Sequence, residues 1–163
     1  MKVRILAVCA GNTCRSPAAA AAILEAADDR GVLVDVDSAG TGTWHVGAPP
    51  NPQIVAAGDR AGLEIKGRAR TVNRLDFSRY DVIVVMDRAN LRDVTALAPT
   101  LEDRAKVRLF RTFDPDTDSD EVPDPYGGPD DRFDQTIAEV RGAAAGLIDS
   151  LASAAVKDSA ALE

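Results

Sequence analysis

Short runs of apolar residues recur along the chain, and enough residues for a helix separate each run from the next. The runs are rich in valine, isoleucine and leucine, which is typical of strands in a sheet covered on both faces. We predict four strands, at residues 3–8, 33–37, 81–86 and 106–110.

The stretches between these runs favour helices. The first is alanine-rich and begins near Ser16, a hydroxyl residue suited to the N-cap position, followed by Pro17, suited to the first helical position. The last carries apolar residues at helical spacing. The predicted helices are residues 16–27, 52–61, 89–97 and 131–151. Strands that alternate with helices indicate an α/β fold, here a single doubly wound domain with a four-stranded parallel sheet flanked by helices on both faces.

The length of 163 residues suits one domain with its own core. We expect residues 1–152 to form that domain and residues 153–163, which are rich in small side chains, to form a frayed or disordered C-terminal tail. The segment between Thr112 and Asp131 is rich in proline, glycine and aspartate and is longer than an ordinary connection. Long loops in compact domains are often functional.

Charge and cysteine content narrow the function classes. The 19 basic and 26 acidic residues give a net charge of -7, the wrong sign for a nucleic-acid or anionic-membrane surface. The apolar runs are too short to span a bilayer. Cys9 and Cys14, the two cysteines, do not resemble a secreted disulfide framework. We therefore expect a cytoplasmic protein without nucleic-acid binding or membrane insertion.

The loop after the first strand is the candidate site, because ligands of open parallel sheets bind beyond the carboxyl ends of the strands. Five residues separate Cys9 from Arg15, enough to wrap backbone N–H groups around a tetrahedral oxyanion in front of a helix N-terminus. Gly11 and Asn12 tolerate the unusual dihedral angles of such a loop. The same donors would favour a thiolate at Cys9, and Arg15 supplies a bidentate partner for phosphate. The predicted phosphate-binding residues are Ala10, Gly11, Asn12, Thr13, Cys14, Arg15 and Ser16.

The spacing of these residues alone does not exclude purely structural roles for them. A cysteine five residues before an arginine also occurs by chance, and an isolated cysteine is usually a packing residue. Asp124 precedes a proline, and most Asp-Pro pairs are turns. Ser16, adjacent to Arg15, could hydrogen-bond the Cys9 sulfur, and it would serve equally well as a helix cap. A zinc site from Cys9, Cys14 and His45 lacks the ligand spacing and a fourth ligand.

The segment 8–17, Val-Cys-Ala-Gly-Asn-Thr-Cys-Arg-Ser-Pro, resembles the signature of the low-molecular-weight protein tyrosine phosphatases at every fixed position. Further blocks look like family blocks in family order, and the resemblance covers residues 3–151. These blocks are residues 37–41, 44–47, 68–70, 76–77, 86–87, 90–93 and 122–126.

The resemblance implies hydrolysis of phosphotyrosine in proteins, without a metal or a cofactor. By this resemblance, Cys9 is the nucleophile that forms a phosphocysteine intermediate. Arg15 and the loop amides stabilise the transferring phosphoryl group. Asp124 is the general acid that protonates the leaving phenolate and then the base that activates water. The partner is a phosphotyrosine-containing protein, and we expect a monomer or a weak dimer.

The resemblance also assigns supporting roles. Three residues would form the substrate cleft, namely Thr13, Trp44 and Tyr126. Four residues would brace the loop, namely Asn12, Ser16, Ser38 and Asp87. Cys14 would either form a reversible disulfide with Cys9 or serve as a packing residue. Trp44 and Tyr126 could equally be core residues, and His45, which no motif positions as a base, is expected to be structural.

Two departures from the tyrosine-specific pattern leave an alternative substrate open. Thr13 stands where a bulkier aliphatic residue is usual, and Gly127 stands where a second tyrosine is common. Both resemble protein-arginine phosphatases of the same fold, whereas Trp44 suits an aromatic substrate and favours phosphotyrosine. A third hypothesis is a non-catalytic module that binds phosphoproteins without turning them over.

Overall fold

A parallel sheet of four strands in the order β2-β1-β3-β4 forms the centre of the molecule. The computed structural model describes residues 2–162, with side chains described as far as Lys157. The strands are β1 (Val3–Cys9), β2 (Val34–Gly40), β3 (Val82–Val85) and β4 (Val107–Leu109). β1 pairs with β2 on one side and with β3 on the other, so the strand order reverses at β1. In doubly wound sheets a ligand crevice opens at such a reversal, beyond the carboxyl ends of the strands.

Helices cover both faces of this sheet, as the sequence predicts. Ile5 and Ala7 of β1 belong to a core shared with α1, α2 and α6, whereas Leu6 and Val8 belong to a second core shared with α3 and α4. The helices are α1 (Arg15–Arg30), α2 (Pro52–Arg60), α3 (Asp76–Arg79), α4 (Arg88–Thr95), α5 (Leu101–Ala105) and α6 (Asp130–Leu162). None of the helices within residues 2–162 is long and apolar enough to cross a membrane. The predicted α/β fold is confirmed.

The start of α1 differs from the sequence prediction. The helix begins at Arg15, its N-cap position is Cys14, and no side chain caps it. Ser16 is therefore the second helical residue, and its hydroxyl lies 3.0 Å from the sulfur of Cys9. The prediction that Ser16 caps the helix is wrong, because the hydroxyl interacts with the preceding loop instead of the helix amides.

The C-terminal helix extends well beyond residue 151. Residues 153–162, expected to be a frayed or disordered tail, continue α6, and residue 163 lies outside the described residues. The side chains at 153–157 are exposed and add nothing to the core. A division of the chain at residue 152 stays a prediction.

Candidate active site

The loop between β1 and α1 lies against the end of β2. The backbone N–H groups of Thr41 and Gly42 donate to the carbonyls of Cys9 and Ala10 at 2.9 and 3.0 Å. A Cβ atom at Gly40 would lie 2.7 Å from the carbonyl oxygen of Ala10. Only glycine allows this approach, so the end of β2 fixes how tightly the loop closes.

Asn12 holds the loop in its bent conformation. It is the one non-glycine residue with positive φ within the described chain, at 57°. Its side-chain N–H groups donate to the hydroxyls of Ser16 and Ser38 at 2.8 and 2.9 Å, and its side-chain oxygen accepts from the backbone N–H of Arg70 at 2.9 Å. These bonds engage both ends of the amide and so stabilise a strained backbone. Three of the predicted bracing residues, Asn12, Ser16 and Ser38, thus lie together.

The sulfur of Cys9 lies beneath this loop and is surrounded by donors. It accepts from the backbone N–H of Asn12 at 3.3 Å, and the Ser16 hydroxyl lies 3.0 Å away. The residue is only 2% exposed. These contacts hold the sulfur at a fixed position beneath the loop, and this geometry suits a nucleophile.

Arg15 is buried and held in a fixed plane. Its Nη1 donates to Asp87 Oδ2 at 2.7 Å and to the carbonyl of Val122 at 3.0 Å. Asp87 also accepts from the backbone N–H of Asn90 at 2.8 Å, at the start of α4. Burial alone would raise the pKa of Asp87, but the hydrogen bonds from Arg15 and from the amides of α4 outweigh it, and the pKa lies below its usual value. The carboxylate therefore stays charged and keeps the guanidinium in place.

A cavity of about 400 Å³ opens above the loop. Its walls are formed by Cys9, Ala10, Gly11, Thr13, Cys14, Arg15, Trp44, His45, Asp124 and Tyr126. The structure thus gathers the predicted nucleophile, the predicted acid and the predicted cleft residues around one space. Asp124 Oδ2 lies 4.0 Å from Arg15 Nη2, and the Asp124 carboxyl is restrained locally because the Tyr126 N–H donates to its Oδ1 at 3.1 Å. Within the described residues, no cluster of three or more His, Cys, Asp or Glu side chains could hold a metal ion.

Aromatic rings form the outer part of the cavity. Trp44 and Tyr126 are 65% and 75% exposed, which excludes the interpretation that they are core residues. The Trp44 ring lies over Gly42, where a Cβ atom would be 1.6 Å from the indole. Two flat exposed surfaces beside the cavity suit a planar group of a ligand.

His45 is a cavity residue that the sequence analysis missed. It was expected to be structural, but it is exposed and its ring packs on the loop, with Cδ2 at 2.9 Å from the position of a Cβ on Gly11. Its ring also meets Trp44 edge to face at 6.0 Å between centroids. In the sequence, the one indication that His45 borders the cavity is its position directly after Trp44, in the block of residues 44–47.

Cys14, like Cys9, is a buried free thiol that borders this cavity. Burial, with the nearby negative charges of Asp124 and Cys9, raises the pKa of Cys14 to about 12, and the opposing effect of Arg15 is smaller. Cys14 therefore keeps its proton at neutral pH.

The comparison with known proteins is consistent with the geometry of this site. A sequence model described as low molecular weight phosphotyrosine protein phosphatase matches residues 4–157. A low molecular weight protein-tyrosine-phosphatase of Streptomyces coelicolor is 41% identical over 152 residues, which is 91% of this chain and 93% of that protein. A low molecular weight phosphotyrosine protein phosphatase of Schizosaccharomyces pombe is 38% identical, over 80% of this chain and 85% of its own.

Solved structures agree with this comparison. The crystal structure of a protein tyrosine phosphatase from Entamoeba histolytica, with Hepes in its active site, superimposes with a TM-score of 0.90 at 30% identity and covers 93% of this chain and 98% of that one. A low molecular weight phosphotyrosine phosphatase from Vibrio cholerae superimposes with a TM-score of 0.84 at 31% identity, over 91% and 96% of the two chains.

Proposed function

Because this chain belongs to the low molecular weight protein tyrosine phosphatase family, we propose that it hydrolyses phosphotyrosine in cytoplasmic proteins through a phosphocysteine intermediate. One observation carries the proposal. The Cys9 sulfur, the Arg15 guanidinium and the Asp124 carboxyl border a single cavity, with Arg15 Nη2 and Asp124 Oδ2 4.0 Å apart. A nucleophile, a cation and an acid around one space are the groups that phosphoryl transfer needs.

In the first step the Cys9 thiolate attacks phosphorus and the bond from phosphorus to the tyrosine oxygen breaks. Asp124 donates its proton to the departing phenolate oxygen, which would otherwise leave as a strong base. Arg15 and the N–H groups of the loop carry the positive charge that stabilises the phosphoryl oxygens. The phosphoryl group is then bound to Cys9.

In the second step water attacks the phosphocysteine and the sulfur–phosphorus bond breaks. Asp124, now a carboxylate, takes a proton from the attacking water. The Ser16 hydroxyl, 3.0 Å from the sulfur, donates to Cys9 as the thiolate leaves. Inorganic phosphate and the free thiolate are the products, so the enzyme returns to its starting state.

The outer cavity supplies the preference for an aromatic substrate. The phenyl ring lies between Trp44 and Tyr126, and Thr13 borders it nearer the loop. Phosphoarginine is the second candidate substrate, and Thr13 on the cavity wall favours it. The Thr13 hydroxyl is compatible with a polar guanidinium, which a bulkier apolar side chain at this position would exclude. The substrate partner is in either case a phosphoprotein.

The substrate preference can be tested with two peptides of the same sequence, one carrying phosphotyrosine and the other phosphoarginine. Phosphate release from each is measured in the presence of EDTA. We expect faster release from phosphotyrosine, because stacking on Trp44 and Tyr126 favours a flat ring. Faster release from phosphoarginine would make Thr13 the residue that selects the substrate. If the wild-type protein binds both peptides and releases phosphate from neither, the chain is a phosphoprotein-binding module.

Replacement of Asp124 by asparagine tests the general acid. We expect kcat/KM for phenyl phosphate to fall by about 10²- to 10³-fold, since the phenolate then leaves without a proton. The loss for p-nitrophenyl phosphate should be much smaller, because the nitro group stabilises the leaving phenolate. Asp116→Asn, at an exposed carboxylate of the same loop, is the matched control and should leave both rates unchanged. Equal losses for the two substrates in Asp124→Asn would contradict the assignment.

A further inference from the structure

The segment that carries Asp124 has no regular secondary structure of its own. Residues 114–129 lie between a single 3₁₀ turn, Phe110–Phe113, and the start of α6. The Val122 N–H donates to the carbonyl of Met86 at 2.8 Å, which ties the segment to the end of β3. The Asp124 side chain is 54% exposed. Its position therefore depends on how firmly the preceding backbone is held.

Two arginines bind successive carbonyl groups of that backbone. Arg15 donates to the carbonyl of Val122 at 3.0 Å, and Arg111 donates to the carbonyl of Glu121 at 3.2 Å. Arg15 comes from the phosphate loop, whereas Arg111 belongs to the 3₁₀ turn after β4. The backbone two and three residues before Asp124 is thus fixed from two different elements.

Arg111 is itself held by a buried carboxylate on α6. Its Nη1 lies 3.3 Å from Glu139 Oε2, and the two side chains are 17% and 5% exposed. Arg132 approaches the other oxygen, Oε1, only to 3.8 Å. Among the described residues, neither Glu139 Oε1 nor Arg111 Nε has a hydrogen-bond partner.

Such a pair is a weak source of stability. The free energy needed to remove two charges from water is often larger than the free energy gained from their attraction. Buried polar atoms without a hydrogen-bond partner increase this penalty. Burial of Glu139 raises the pKa of its carboxyl despite the opposing charges of Arg111 and Arg132. What the pair does provide is geometric, because the Arg111 Nη1 that faces Glu139 also donates to the carbonyl of Glu121.

We propose that Arg111, held by Glu139, is a positioning residue that keeps Asp124 in place for proton transfer. The inference rests on the proposed role of Asp124 as the general acid. Without Arg111 the backbone at Glu121 loses its link to α6, and the Asp124 carboxyl spends less time within reach of the leaving oxygen. A misplacement of about 1 Å is enough to cost about 10²-fold in rate.

A double-mutant cycle of Arg111→Met and Asp124→Asn tests the proposal, with kcat/KM measured on phenyl phosphate and p-nitrophenyl phosphate. Arg111→Met should lower the rate on phenyl phosphate by about 10- to 100-fold and the rate on p-nitrophenyl phosphate by much less. In the Asp124→Asn background the same change should cost nothing further, because Arg111 acts through Asp124. Competitive inhibition by inorganic phosphate should stay unchanged, since the phosphate loop is intact. Arg111→Lys should recover part of the loss.

Arg132→Met is the matched control, because the Arg132 side chain approaches the same Glu139 but makes no hydrogen bond to the backbone of residues 114–129. It should leave the ratio of the two rates unchanged. If Arg111→Met does not fold, Glu139→Gln in the same cycle removes the charge that holds Arg111 and should give a smaller loss of the same kind.

Equal losses on both substrates, or a full additional loss in the Asp124→Asn background, would overturn the positioning role of Arg111 and leave the general acid standing. If Asp124→Asn itself leaves the ratio of rates unchanged, the proposed acid is wrong and the inference ends with it. The two failures are therefore distinguishable.

Discussion

Cys9→Ser will reduce phosphate release to background, a loss of at least about 10⁴-fold in kcat, while the protein stays folded and still binds phosphate. The serine hydroxyl is similar in size to the thiol and can keep contact with Ser16, which lies 3.0 Å from the sulfur. A hydroxyl is far harder to deprotonate than a thiol, so a serine at this position is not a comparable nucleophile.

The measurement is phosphate release in a stopped assay, together with binding of inorganic phosphate followed as a shift in the melting temperature. The variant should show the wild-type shift, because the N–H groups of the loop and Arg15 are unchanged. Turnover close to that of the wild type would remove Cys9 from the mechanism. Lost turnover together with lost phosphate binding would point to a collapsed loop instead of a missing nucleophile.

Arg15→Lys will lower kcat/KM by about 10³-fold, equivalent to about 4 kcal/mol of transition-state stabilisation. Arg15 donates to Asp87 and to the carbonyl of Val122 through Nη1 alone, so Nη2 and Nε are left for the phosphoryl oxygens. Lysine keeps the charge but lacks this planar set of donors. The ammonium group cannot satisfy both acceptors and also bind two phosphoryl oxygens, so the transition state loses its bidentate partner.

Steady-state kinetics on p-nitrophenyl phosphate check this, because that substrate depends little on the acid. Arg60→Lys provides the matched control, since Arg60 forms an exposed ion pair with Asp134 and does not border the cavity. It should keep wild-type activity. A loss for Arg15→Lys no larger than that of the control would mean that charge alone, without guanidinium geometry, binds the phosphoryl group.

The phosphate loop could be predicted from the sequence because it is contiguous. The spacing between Cys9 and Arg15 sets the size of the loop. The sequence indicates Gly11 and Asn12 as the residues able to take unusual dihedral angles, and of these two Asn12 has positive φ. Asp87 could also be predicted, because it lies two residues after the end of β3, the strand beside β1, and parallel strands end at the same edge. These contacts depend on sequence neighbours or on strand order.

Contacts set by side-chain packing between distant elements could not be predicted. The pairing of Arg111 with Glu139 depends on how α6 is rotated against the 3₁₀ turn, which hydrophobic spacing does not define to one residue. The helices α3 and α5 span 4 and 5 residues, too few to show a helical period. The sequence allows Ser16 two roles, a helix cap and a partner of the Cys9 sulfur, and only the folded loop, which brings the sulfur 3.0 Å from the hydroxyl, decides between them.

The retained proton of Cys14 decides how this cavity would respond to covalent inhibitors. Electrophilic inhibitors that modify cysteine react with the thiolate. With a pKa of about 12, roughly one Cys14 in 10⁵ is ionised at neutral pH. Since both thiols border the same cavity, a small electrophile that fits it can approach either. Protonation therefore protects Cys14 from such inhibitors, and this protection needs no steric feature in the inhibitor.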